Sequence, residues 1–306
     1  MIDVAAAATD EELAAFQTIV TTVHPGPGVA VDALRHQLDT QPKSVFLVAT
    51  VDGERVGAGT GVDSSVGDAL YAMCRVLPGH RRRGVGCALL LALSDHARAV
   101  GCGSLIGRLL EEDLGARAFV EHRGFTVLSR ECPVALDLGR YPAKPYPPPS
   151  GVELVSLAER PELVPAAYEV HASALGDVPV GSEAPTARPY EEWRASTVDS
   201  PDALPALSLV ALVGDEVVGW SGLEATSDPD VAENELTGVL RAWRGRGIAT
   251  ALKREQALRA KHAGLQRIET TNDEANAPMR AVNARLGFEP QPAWLLVRGP
   301  LVPDPA

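Results

Sequence analysis

The chain is short of cysteine, of positive charge and of long apolar runs, and each shortage removes a class of protein. Its four cysteines, Cys74, Cys87, Cys102 and Cys132, all lie in the first half and show no paired spacing. That excludes a disulfide framework and implies free thiols in a reducing compartment. Lysine and arginine number 28 against 40 aspartates and glutamates, a net charge of −12. The balance argues against nucleic acid or an anionic membrane as the main partner. It suits a cationic substrate such as an amine, and equally a plain acidic surface. No apolar run is long enough to cross a bilayer. Asp3, Asp10, Glu11 and Glu12 interrupt the apolar N-terminus, so no secretory leader is expected. The expectation is a cytoplasmic protein. No His, Cys or carboxylate grouping has metal-ligand spacing, and no metal is expected.

What is present begins with bulk: 306 residues at 45% hydrophobic, enough for the cores of two ordinary domains. A repeat says the same. Residues 233–252 read as a short strand, then Arg244-Gly245-Arg246-Gly247, then a helix opening with Ile248, Ala249 and Thr250. A basic, glycine-rich turn feeding a helix N-terminus offers unpaired N–H groups to a phosphate. Glycine there removes the Cβ that would hold the phosphate away. Arg81-Arg82-Arg83-Gly84-Val85-Gly86 repeats the device before another apolar helix. Both turns fit Arg-x-x-Gly-x-Gly/Ala, and each helix is followed downstream by Gly-Phe, at Gly124-Phe125 and Gly287-Phe288. Neither turn carries the Gly-Lys-Ser/Thr of a triphosphate loop, and no acidic residue stands where a dinucleotide ribose contact belongs.

The doubled pattern resembles the GNAT family of N-acetyltransferases, and its tandem members of the mycothiol synthase kind. The resemblance covers nearly the whole chain and is most specific over residues 233–288. It implies an α/β (α+β) fold of two GNAT-type domains, each a mixed, mostly antiparallel sheet flanked by helices. The expected domains are residues 1–138 and 152–306. Between them residues 139–151, GRYPAKPYPPPSG, read as a semi-stiff linker. Expected elements include strands over 44–50, 69–76 and 267–271, and helices over 84–100, 113–123 and 278–286. A closing hairpin is expected over 126–138, and a final strand over 293–298. Gly57, Gly59 and Gly61 alternate along one strand with no helix following, so they read as a glycine-thinned strand.

The resemblance implies acetyl-CoA as cofactor, its pyrophosphate on Arg244 to Thr250. Its pantetheine arm would lie along Thr237, Gly238 and Val239, with the Val239 N–H facing the reacting carbonyl. Asn276 matches the family's asparagine near that arm. Arg81, Arg82, Arg83, Gly84, Val85 and Gly86 form the corresponding turn of the first copy. An amine acceptor with a pKa of about 10 must lose a proton before attack, which asks for a carboxylate. Glu233 holds the family's general-base position, with Glu235 two residues on. The family's tyrosine general acid is replaced by Asn283, which donates a hydrogen bond but no proton. Carboxylates and aromatics in the early helices and loop, Asp177, Glu183, Tyr190 and Trp193 among them, suit an ammonium-bearing small molecule. In the first copy Leu70 and Ala72 stand where the glutamates do, Val120 where the tyrosine does, and Asp113 replaces Asn276. That copy is expected to be catalytically silent. The reading is an N-acetyltransferase of a small-molecule amine, monomeric or homodimeric. A non-catalytic acyl-CoA binder and a peptide N-acetyltransferase are its alternatives.

Overall fold

The computed structural model describes residues 1–24, 29–181 and 185–303. The chain divides into two compact units, one formed by Met1–Arg130 with Trp294–Ala306, the other by Glu131–Ala293.

The first unit runs β1 (Ile2–Ala6), α1 (Asp10–Val23), α2 (Val31–Thr40), β2 (Val45–Val51), β3 (Glu54–Asp63) and β4 (Ala69–Val76). It continues through α3 (Val85–Ala99), β5 (Ser104–Leu110), α4 (Leu114–Glu121) and the start of β6 (Thr126–Asp137). Helix α1 starts where a capping box closes: Thr9 Oγ1 accepts from the Glu12 N–H, and the Glu12 carboxylate accepts from the Thr9 N–H. Strands β1 to β4 are antiparallel neighbours in order, and β4 pairs parallel with β5. The alternating glycines of β3 have a packing reason. A Cβ on Gly57 or Gly59 would meet Val85 or Leu89 of α3 at 2.9 to 3.2 Å, so their absence lets the helix lie on the strand.

The second unit opens with residues 131–137 of β6 and runs β7 (Glu153–Ser156), α5 (Val164–Leu175), α6 (Tyr190–Thr197), β8 (Leu209–Val213) and β9 (Glu216–Ser221). Then follow β10 (Glu224–Ala225), β11 (Val231–Glu233), β12 (Thr237–Val239), α7 (Ile248–His262), β13 (Arg267–Asp273), α8 (Ala277–Leu286) and β14 (Glu289–Pro290). Gly219 on β9 repeats the role of the β3 glycines beneath Ile248 and Leu252 of α7.

The C-terminal strand β15 (Trp294–Pro300) does not close its own copy. It pairs antiparallel with β5 of the first unit, from Trp294↔Leu110 to Pro300↔Ser104. Residues 131–137, expected as half of a hairpin, belong to one long strand and pair with β13, from Arg267↔Asp137 to Asp273↔Glu131. Equivalent strands are therefore exchanged, and the units differ from the boundaries read at 138 and 152. Residues 139–151 hold no helix or strand, as their prolines dictate, but they are not a free tether. Tyr141 is buried in the core with Leu138, Ala257 and Ala260, and Lys261 Nζ donates to the carbonyls of Gly139 and Tyr141.

A candidate acyl-CoA site where one strand changes sheets

In the second unit the central strand breaks in two. Strand β11 pairs parallel with β13, whereas β12 pairs antiparallel with β9 in a separate sheet of order β12-β9-β8-β7. The crossing residues are Asn234, Glu235 and Leu236. Beyond them β12 and β13 separate, and a cavity of about 870 Å³ opens, lined by Thr237–Val239 on one side and Thr270–Asp273 on the other.

Strand β12 ends its sheet, so one edge is unpaired. Gly222 N–H donates to Leu236 O and Leu240 N–H to Val218 O. Antiparallel alternation then turns the backbone groups of Thr237 and Val239 toward the open edge. The Arg244 Nε–H donates to Val239 O at 2.8 Å from that side. An extended amide-bearing arm can add to this edge as a further strand.

The cradle closes the cavity's other end. Gly245 and Gly247 take left-handed conformations, φ 75° and 82°, and Gly247 caps α7 without any side chain bonding its first turn. The N–H groups of that turn are left for an anion. Arg244, Gly245, Gly247, Ile248, Ala249 and Thr250 all line the cavity; Arg246 does not, its guanidinium lying 4.5 Å over the Trp243 ring. Asp177, expected to meet an acceptor, lines the cavity and accepts hydrogen bonds from Arg241 and Arg244. Those two guanidiniums hold its carboxyl well below the usual range.

The crossing also sets the two glutamates apart. Glu233 is exposed at the end of β11, opposite Glu224, and does not line the cavity. Glu235 does. Simple alternation would place both on one face, but the break in the strand separates them. A Cβ on Gly222 would meet the Trp220 ring at 2.9 Å and Glu235 Oε2 at 3.5 Å, which places the Glu235 carboxylate beside the indole. Solvent reaches it through the cavity while protein crowds its remaining sides. Desolvation pushes its pKa up to about 7, against the pull of Arg188. Burial, and then the neighbouring charge of Glu235, push Glu224 well above the carboxylate range. Glu224, which sequence reasoning passed over, is half-buried and does not line the cavity.

The remaining expected residues divide. Asn276 lines the cavity and also caps α8, its Oδ1 accepting from Met279 N–H at 3.3 Å. Asn283 is buried behind the cavity wall and donates to Asn272 Oδ1. Trp193 is a core residue at 3% exposure among Tyr168, His171 and Trp220, and Tyr190 stacks on that cluster; neither lines the cavity. Glu183 lies outside the described residues. Beneath the crossing is a buried polar network absent from the sequence reading. Asn234 Nδ2 donates to Ser221 Oγ, Gly222 O and Gln256 Oε1, while Asn234 Oδ1 accepts from Thr237 Oγ1 and Lys253 Nζ.

The first unit keeps the same corner. Arg81 Nε–H donates to Val76 O at 3.0 Å, Gly84 caps α3 at φ 89°, and Arg82 takes the left-handed conformation that Gly245 takes in the second unit. Asp113 caps α4 as Asn276 caps α8. Leu70 is wholly buried, and Tyr71, Ala72 and Met73, within the unbroken β4, stand where Asn234, Glu235 and Leu236 do.

The sequence matches the Acetyltransferase (GNAT) family over residues 11–125 and again over 168–288. The chain belongs to the GNAT acetyltransferase family. It does so twice over, as a tandem protein. A tandem GNAT protein from the clavulanic acid biosynthesis pathway superposes with a TM-score of 0.75 at 22% identity, all of both chains being covered. A GCN5-related N-acetyltransferase from Sphaerobacter thermophilus gives 0.74 at 20% identity, covering 99% of this chain and 96% of its own. At such identities these likenesses speak for the fold. No curated protein matches the chain. GNAT proteins take an acyl-CoA donor, and the open edge, glycine cradle and uncapped helix of the second unit fit one.

Proposed function

We propose that the second unit transfers an acetyl group from acetyl-CoA directly to the amine of a small, cationic molecule, with Glu235 as general base. The observation that carries this is the Glu235 carboxylate, set in the cavity at the head of an open strand edge whose other end is an anion cradle. Bound acetyl-CoA would supply an activated acyl group. The Arg244 to Thr250 corner binds its diphosphate, and the Thr237–Val239 edge orients its arm. The outward-facing Thr237 N–H, at the crossing end of that edge, faces the developing negative charge on the carbonyl oxygen. Glu235 takes the proton from the acceptor nitrogen, and its raised pKa matches it to work near neutral pH. The ionised Glu235 carboxylate favours an ammonium-bearing acceptor.

The first unit serves as a companion that keeps the corner without the base. Its Leu70 is committed to a core with Leu90, Leu105 and Leu109. A screen of CoA release from acetyl-CoA against aminoglycosides, amino acids, polyamines and peptides tests the reading. Release with a small cationic amine, abolished by Glu235→Gln, is the expected result. A chain that binds acetyl-CoA yet releases CoA with none of them is the acyl-CoA binder instead.

A further inference from the structure

Helix α7 sends one charged side chain into the protein. Lys253 is 4% exposed, yet it lines the cavity. Its Nζ donates to Asn234 Oδ1 at 2.6 Å and lies 5.2 Å from the Phe288 ring. A lysine ammonium carries three hydrogens, and this single bond uses one. Asn234 cannot turn to release it, because its amide nitrogen is claimed by Ser221, Gly222 and Gln256. The network therefore holds a basic nitrogen at the crossing, where an arm lying along β12 from the cradle would end.

No ordinary structural reason accounts for a cation there. A buried ammonium is costly unless it is paired with an opposite charge, and among the described residues no carboxylate is bonded to this one. Charged residues do stand on the surrounding elements: Glu235 at the crossing, Glu269 and Asp273 on β13, and Arg285 on α8. None of them contributes to its titration; burial alone lowers its pKa, to about 7. An apolar side chain would pack the same space without that cost.

We propose that Lys253 is the proton donor to the departing CoA sulfur, in place of the phenol that Asn283 replaces. This rests on the transferase reading of the same cavity. The ammonium of the acceptor first passes one proton through Glu235 to water; as the neutral nitrogen then bonds to the carbonyl carbon, Glu235 takes its second proton. When the C–S bond breaks, its electron pair stays on sulfur, and Lys253 Nζ delivers a proton there. The products are the amide and free thiol. Glu235 is left protonated and Lys253 neutral, and water in the cavity returns the proton from one to the other. Nothing is oxidised or reduced.

Two variants of the full chain test this. Lys253→Met keeps the stem and removes the nitrogen. Lys253→Gln keeps a donor for Asn234 but has no proton to give at neutral pH. The first readout is independent of turnover: the far-ultraviolet thiolate absorbance of bound CoA followed against pH, with desulfo-CoA as blank. The bound thiolate and the Lys253 ammonium hold each other's charge, so in wild type the thiolate should form about one unit or more below its pH in either variant. Second, with the amine found in the screen, kcat should fall about 100-fold or more in both variants, acetyl-CoA affinity being unchanged. The alkaline limb of the wild-type rate profile should disappear. If Lys253 is only a strut for Asn234, Lys253→Gln restores turnover and the thiol titrates alike in all three; either result overturns the assignment. Wild type that acetylates no amine instead removes the transferase reading and this assignment together.

Discussion

At the residue scale, the two neighbouring glutamates differ because the strand between them is broken. Both are exposed, but Glu233 belongs to one sheet and stays off the cavity, whereas Glu235 belongs to the crossing and lines it. Glu235→Gln should lower kcat about 100-fold or more at unchanged acetyl-CoA affinity, while Glu233→Gln should stay near wild type; initial rates and calorimetry on the two variants decide it. In wild type, kcat/KM should rise toward about pH 7, where Glu235 loses its proton, and fall beyond it as Lys253 loses its own. The buried lysine makes a separate prediction about stability. Its folded pKa of about 7 lies below its unfolded value near 10.5. Between those limits the unfolded chain binds more protons, so this group's contribution to stability is full above pH 10.5 and falls until pH 7. Lys253→Met removes that penalty. Its gain in denaturation midpoint over wild type should be greatest at pH 6 to 7 and fade toward pH 10.5, as urea titrations at several pH values would record.

At the scale of elements, the two Arg-x-x-Gly corners share a backbone that their sequences reach by different means. The second unit uses Gly245 where the first uses Arg82, held at φ 61°. An L-residue there costs about 1 to 2 kcal/mol, so the first unit keeps the shape against its local preference. Gly247→Ala should cost the second unit a similar amount, because its φ of 82° is unfavourable to any Cβ. It should also weaken acetyl-CoA binding, which calorimetry on the variant would measure. These corners were legible in the sequence because glycine and arginine at fixed spacing leave the backbone few alternatives. Helices α1, α3 and α7 were legible from caps and apolar spacing. The break at Asn234–Leu236 was not, since alternation alone carries no mark of a strand that changes partners. Nor was the Asn234–Lys253 network, because a lysine on a helix ordinarily reads as surface. Trp193 and Tyr190 looked like an acceptor pocket for the same want of context: aromatics on an amphipathic helix serve the core first.

On the scale of the whole molecule, the repeat is real but the two copies are not separable where the sequence suggests. A strand reads alike whichever neighbour takes it, so nothing local announced that β15 pairs with β5 or that β6 continues into the second unit. A cut between residues 138 and 152 should therefore leave both halves incomplete. Glu131–Ala293, by contrast, is one uninterrupted segment with its own cores. Expressed alone it should fold and bind acetyl-CoA as the full chain does, and circular dichroism with calorimetry would show it. A chain ending at Ala293 should lose the cooperative melting of the first unit while keeping that of the second.

The exchange of strands also sets an order of events on the ribosome. Translation completes the segment Glu131–Ala293 before Trp294 has been made, so the later copy has all its strands while the earlier one still lacks one. The earlier copy, though synthesised first, waits with the edge of β5 uncovered until Trp294–Pro300 has emerged. A nascent protein of this design is most exposed to misassembly in the half that has been outside the ribosome longest.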